Sequence, residues 1–147
     1  MLATLLLTTV FAPLATYADP GGAFALDLPT GWTARREAVD QGLYLTECFK
    51  QGDEEGAHID MLVQLVGDDI PVTSHGEVNK IMVDTVVQLL SAEGTITRQN
   101  RSEVTFDGRK GIKLDLEFKD DEGVNWKGWL VGGGGKRHAL AVMAYAK

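Results

Sequence analysis

The stretch FDGRKGIKLDLEF, Phe106 to Phe118, decides how the rest of the chain is read. Within it and just after it, Ile112, Leu114, Leu116 and Phe118 alternate with Lys113, Asp115, Glu117 and Lys119. Successive side chains of a strand point to opposite faces, so this run sends one face into a core and the other into water. A half-wet strand belongs in an antiparallel sheet, since parallel sheets are covered on both faces. The turn pair Asp107-Gly108 precedes the run, and the acidic turn KDDEG, Lys119 to Gly123, follows it. TITRQNRSEVTF before it, and WKGWLV and RHALAVMAY after it, therefore read as its neighbours in an antiparallel meander.

Upstream of this meander lies one helix. Val78, Ile81, Met82, Thr85, Val86, Leu89 and Leu90 fall at helical spacing and form one apolar stripe expected to face the core. Ser74 and Glu77 have the spacing of a capping box, in which each side chain satisfies an amide left free at the helix start. Gly94 is placed to end the helix as a C′ glycine. Further upstream, AFALDLPTGW reads as a strand closing in a tight turn at Pro29-Thr30-Gly31. TARREAV and LYLTECF form a hairpin across Asp40-Gln41-Gly42, GDEEG is a charged turn, and HIDMLVQLV is a central strand with Ile59, Met61, Val63 and Leu65 on one face. The fold class is α+β, an antiparallel sheet packed by one main helix.

This order of elements resembles the Mog1/PsbP-like superfamily, which includes exported bacterial domains of the DUF1795 and DcrB type and the photosystem II extrinsic subunit PsbP. Leu28-Pro29-x-Gly31-Trp32 is similar to the family's strand-turn-tryptophan opening, and Phe106-Asp107-Gly108 to its later hairpin turn. The likeness spans about Phe24 to Tyr145 and lies in pattern, not in a chemical motif. It implies an α/β/α sandwich and a binding or assembly role without known catalysis. Family members usually continue into a C-terminal helix, whereas this sequence stops at Lys147. Either the fragment is truncated or one sheet face is left for a partner.

The first eighteen residues, MLATLLLTTVFAPLATYA, carry no charge and give way abruptly to Asp19-Pro20-Gly21-Gly22. The apolar run is short for a membrane span, and Thr16 and Ala18 stand at the −3 and −1 positions of a signal cleavage site. Residues 1–18 are read as a signal peptide and 19–147 as a single exported domain, periplasmic or extracellular after cleavage near Ala18. Membrane attachment is expected only if that segment stays uncleaved. The formal net charge of −7 and the lack of a basic patch argue against nucleic acid as a partner. The single cysteine, Cys48, allows no internal disulfide and reads as a buried small hydrophobe.

No residue pattern points to catalysis or to a cofactor. VGGGGKRHAL, Val131 to Leu140, has the texture of a phosphate loop, but the P-loop pattern needs Gly at 130 and Ser or Thr at 137, where Leu130 and Arg137 stand. The glycines read as a hairpin turn into the last strand. His58 and Asp60 share a strand face and could approach a metal together. No second His or Cys stands at ligand spacing, so no metal is expected. Ser74, Ser91 and Ser102 lack a nucleophile elbow. Trp126 and Trp129 lie on opposite strand faces, and with Lys127 they are the candidate partner contacts. The reading is an exported, non-enzymatic domain that engages a protein or envelope component through its sheet face or edge. The alternatives are a small-molecule module with a pocket between sheet and helix, and a hydrolase with a dispersed site.

Overall fold

A computed structural model describes residues 15–66, 69, 74–106, 109–134 and 137–147. Strands β1 (Ala15–Ala18) and β2 (Ala25–Leu28) pair as a small hairpin. Strands β3 (Trp32–Asp40), β4 (Leu43–Lys50) and β5 (Asp53–Leu65) form a first meander. Helix α1 (His75–Glu93) leads to a second meander of β6 (Gly94–Phe106), β7 (Arg109–Asp120), β8 (Asn125–Gly134) and β9 (His138–Ala146). The second meander returns to the first, because β9 pairs with β5, and seven antiparallel strands run in the order β3-β4-β5-β9-β8-β7-β6.

The alternation in β7 is realised: Leu114, Leu116 and Phe118 are buried and Asp115 is exposed. These side chains share a face with Leu130, Ala139, Ala141 and Leu62, and α1 packs over them. The opposite face carries Cys48, Met61, Val63 and Leu140, with Ile59 and Leu65 beside them, as the pattern of HIDMLVQLV predicts. Leu28 of β2 packs there, with Tyr17, Phe24 and Leu26 around it, so the β1–β2 hairpin covers part of the face away from the helix. Burying one leucine side chain contributes about 1.5–3 kcal/mol. Both clusters therefore matter to stability.

The helix is rotated relative to the expected stripe. Asn79, Met82, Val83, Val86 and Leu90 are buried, while Ile81 is 56% and Leu89 49% exposed. Apolar residues occupy so much of the helix surface that spacing alone allows either arc. The sheet selects between them, since Asn79 Nδ2 donates to the Lys110 carbonyl at 2.8 Å and Val83 sits against Gly132. The capping box does not form. Ser74 has helical backbone angles, φ −96° and ψ −5°, and its side chain makes no capping bond, whereas a capping side chain needs an extended backbone.

Gly94 ends the helix for a different reason from the one expected. Its φ of 173° is extended, not left-handed, and a Cβ there would lie 2.3 Å from the Lys119 carbonyl oxygen. Close approach to β7 is what requires glycine. The GDEEG segment is also not a turn: the chain turns at Gln51-Gly52, and Asp53 to Gly56 already belong to β5, next to a register shift opposite Phe49 and Lys50. Of the four glycines in VGGGGKRHAL, Gly132, Gly133 and Gly134 are strand residues paired with Ala141, Leu140 and Ala139. Strands β8 and β9 pair as the expected hairpin, but three of the four glycines belong to the strand. A Cβ on Gly132 would meet Val83 Cγ2 at 2.6 Å and the Asn79 carbonyl oxygen at 2.7 Å, so the glycine lets α1 approach the sheet. Residues 1–14 of the signal reading and the Asp107-Gly108 turn lie outside the described residues.

Candidate functional site

Strand pairing brings polar residues together on the helix side of the sheet, beyond the end of the helix. In the β4–β5 register Glu47 stands opposite Asp60 and Phe49 opposite His58, and in the β5–β9 register His58 stands opposite Tyr145. Residues directly opposite in an antiparallel pair share a face, so Glu47, His58, Asp60 and Tyr145 converge. The His58 and Tyr145 rings stack, with centroids 5.3 Å apart and planes 11° from parallel. Tyr145 donates its hydroxyl to Asp60 Oδ2 at 2.8 Å. Arg35 of β3 holds Glu47 through two donors, Nε at 3.0 Å and Nη2 at 2.8 Å, both directed at Oε2.

Burial sets the electrostatics of this cluster. Asp60 is pushed up to about 6, first by burial and further by the charge of Glu47, against the opposing hydrogen bond from Tyr145 and the influence of His58. Tyr145 is raised far above an ordinary phenol, again first by burial and then by Asp60, so it remains a protonated donor. Nδ1 of His58 and Oδ1 of Asp60 are buried, lack hydrogen-bond partners and lie 3.7 Å apart. Glu47, His58 and Asp60 each present one donor atom, all within 4.8 Å of one another. One imidazole and two carboxylates make a set able to hold a divalent cation.

Two cavities flank the cluster. A groove of about 310 Å³ runs between sheet and helix, with Val39, Leu45, Leu62, Leu89 and Met143 as its apolar walls and Asp60 and Tyr145 at one side. It exists because α1 contacts mainly β6 to β9 and leaves the β3–β4 side of that face less covered. The second cavity, about 350 Å³, is acidic, lined by Glu54, Glu55, Glu93, Asp120 and Glu122 around His58.

The residues singled out from the sequence are dispersed. Trp126 is half-buried in an aromatic cluster with Phe118 and Tyr145, and its Nε1 donates to Asp120 Oδ2 at 2.8 Å. Trp129 is 39% exposed on the opposite face, with Lys127 on that same face 3.6 Å from Glu117. The two tryptophans thus occupy opposite faces, as their spacing predicts. Cys48 is wholly buried on the face away from His58, and burial pushes its thiol up to about 11, which suppresses the nucleophilic thiolate. Ser91 Oγ donates to the Val87 carbonyl and Ser102 lies on edge strand β6, so neither is set against His58.

Glu47 and Tyr145 escape sequence reading. The His-x-Asp pair on β5 was the available signal, but its third and fourth members come from other strands. No described helix is long and apolar enough to cross a membrane.

Neither a family model nor a curated protein matches the chain. Among solved structures it is similar to the solution structure of cyanobacterial PsbP (CyanoP) from Synechocystis sp. PCC 6803. The TM-score is 0.64 at 12% identity, over 95% of this chain and 83% of that one. The chain has a PsbP-like fold.

Proposed function

We propose that this chain is an exported, non-enzymatic binding or assembly domain that docks a protein or cell-envelope partner on its sheet, made of residues 19–147 after removal of a signal peptide near Ala18, a cleavage that would take β1 from its pairing with β2. The observation that carries this reading is the less covered β3–β4 side of the face that α1 packs on. There Val39 and Leu89, each 49% exposed, border an apolar groove of about 310 Å³. Exposed apolar side chains gathered at a concave surface are what a partner anchor fills. The PsbP-like fold supports the reading through the binding or assembly role that the superfamily resemblance implies. Trp129 and Lys127, on the opposite face, are a second contact, and Trp126 reinforces the groove side through its aromatic cluster.

The test is capture from the envelope fraction by the wild-type chain, beside Val39→Asp and Leu89→Asp variants and a Trp129→Ala variant. Loss of capture in the two groove variants, with thermal stability kept, is the expected result. Equal capture by all variants overturns the reading. N-terminal sequencing of the exported chain checks the cleavage site.

The same groove favours one other reading, a small-molecule module, since its volume and mainly apolar wall suit a compact ligand. Thermal stabilisation by a metabolite that is abolished in Leu89→Asp selects that reading over a protein partner.

A further inference from the structure

We propose that Glu47, His58 and Asp60 form a binding site for a divalent cation of the zinc class, a site independent of the partner docking above. The decisive feature is a pair of acceptors facing each other. His58 is only 9% exposed, and its Nε2 bonds to the Glu54 carbonyl oxygen. A carbonyl only accepts, so Nε2 carries the proton, and in the neutral ring Nδ1 is a bare lone pair. That lone pair faces Asp60 Oδ1 across 3.7 Å, with neither atom hydrogen-bonded. Two buried acceptors opposed in this way are costly unless a positive charge lies between them.

The spacing suits a metal better than a proton. A shared proton draws an N–O pair to about 2.7–3.2 Å. A cation held at about 2.1 Å from each ligand in tetrahedral geometry keeps neighbouring ligand atoms about 3.4 Å apart. The observed 3.7 Å lies close to the second value. Glu47 supplies the third ligand through Oε1, since Arg35 occupies Oε2. The outer contacts match those around metal ligands: a backbone carbonyl fixes the His58 tautomer, and Tyr145 binds Asp60 Oδ2 and leaves Oδ1 free. Imidazole with carboxylates, and no thiolate, suits Zn²⁺ and its divalent neighbours. The cavity of five carboxylates beside His58 gives a cation an attractive approach.

The experiment is calorimetric titration of Zn²⁺ into the chelator-treated chain. One equivalent of Zn²⁺ is expected to bind and to be removed by chelator. His58→Gln and Asp60→Asn are expected to abolish stoichiometric binding, Tyr145→Phe to weaken it about 10- to 100-fold, and His138→Ala to leave it unchanged. Nitrogen NMR of the wild-type chain needs no variant to fold: the His58 Nδ1 resonance is expected to move on Zn²⁺ addition while Nε2 stays protonated. Absence of Zn²⁺ binding at tens of micromolar overturns the proposal. So does binding that survives in folded His58→Gln, or a His58 Nδ1 resonance unmoved by excess Zn²⁺.

Discussion

Arg36 on β3 donates from Nε to Asp19 Oδ1 at 2.9 Å, and the carboxylate it reaches is only 1% exposed. The other oxygen of Asp19 accepts the Ala23 amide at 3.2 Å, and the Arg36 guanidinium lies 3.8 Å from the centre of the Tyr44 ring. One ion pair therefore ties the β1–β2 hairpin to the main sheet. Breaking a buried pair by removing one partner leaves the other charge stranded. Asp19→Ala is expected to cost about 2–3 kcal/mol, less than the about 3–5 kcal/mol of a fully buried pair because Arg36 keeps some access to water. Urea denaturation of the two chains reads this directly, and a shift within error would show that the pair does not anchor the hairpin.

The rotation of α1 gives a paired prediction. Val83→Ala removes two methyl groups from a fully buried site and is expected to cost about 2 kcal/mol, whereas the equivalent truncation at the exposed Ile81 should stay within about 0.5 kcal/mol. Thermal denaturation of the two variants discriminates the buried arc from the alternative stripe. Equal losses would return Ile81 to the core.

Gly132→Ala tests the helix-to-sheet contact from the other side. A methyl at that position meets Val83 Cγ2 and the Asn79 carbonyl oxygen at less than 3 Å, so helix or strand must shift. The expected loss is about 1–3 kcal/mol. Combining it with Val83→Ala should relieve part of that loss, because the side chain in the way is shortened. Strict additivity in a double-mutant cycle contradicts the contact.

Asp60 gives the stability a particular pH dependence in the metal-free chain. Its folded value of about 6 lies above that of an ordinary carboxylate, so the folded state holds the proton more tightly than the unfolded one. The stabilisation is fully present below the ordinary carboxylate value and is lost as pH rises through about 6. Asp60→Asn removes the buried charge and keeps an acceptor for Tyr145. With chelator present it is expected to be more stable than wild type at pH 7.5 by about 1–3 kcal/mol, with the advantage shrinking toward pH 4.5. Guanidinium melts of both chains at the two pH values test the sign. An Asp60→Asn chain less stable at pH 7.5 refutes the assignment.

Local pattern carries most of the fold. Period-two alternation identifies β5 and β7, and the Asp40-Gln41-Gly42 turn fixes the β3–β4 hairpin, because these signals depend on neighbours in sequence. What stays hidden depends on partners far away. The β5–β9 pairing that merges the two meanders has no local signature, and the buried arc of α1 is chosen by a glycine gap in β8. The cluster around His58 is legible only in its His58–Asp60 half, for the same reason. Glu47 reaches Asp60 only through the register of a hairpin with an irregularity near Lys50, and Tyr145 arrives from a strand 85 positions later. By contrast, the tetraglycine stands out in the sequence as a loop and yet contributes three strand residues, of which Gly132 makes room for α1.

The β5–β9 pairing also orders events in time. β9 follows every other described strand in the sequence yet sits between β5 and β8, with a neighbour on each side. During synthesis the first meander therefore waits with the β5 edge unpaired until β9 has emerged. Closing a sheet by its latest strand delays commitment to the folded state, and pairings this distant in sequence are slow to form. Were the chain exported as proposed above, that delay would lengthen the time in which it is still open to translocation.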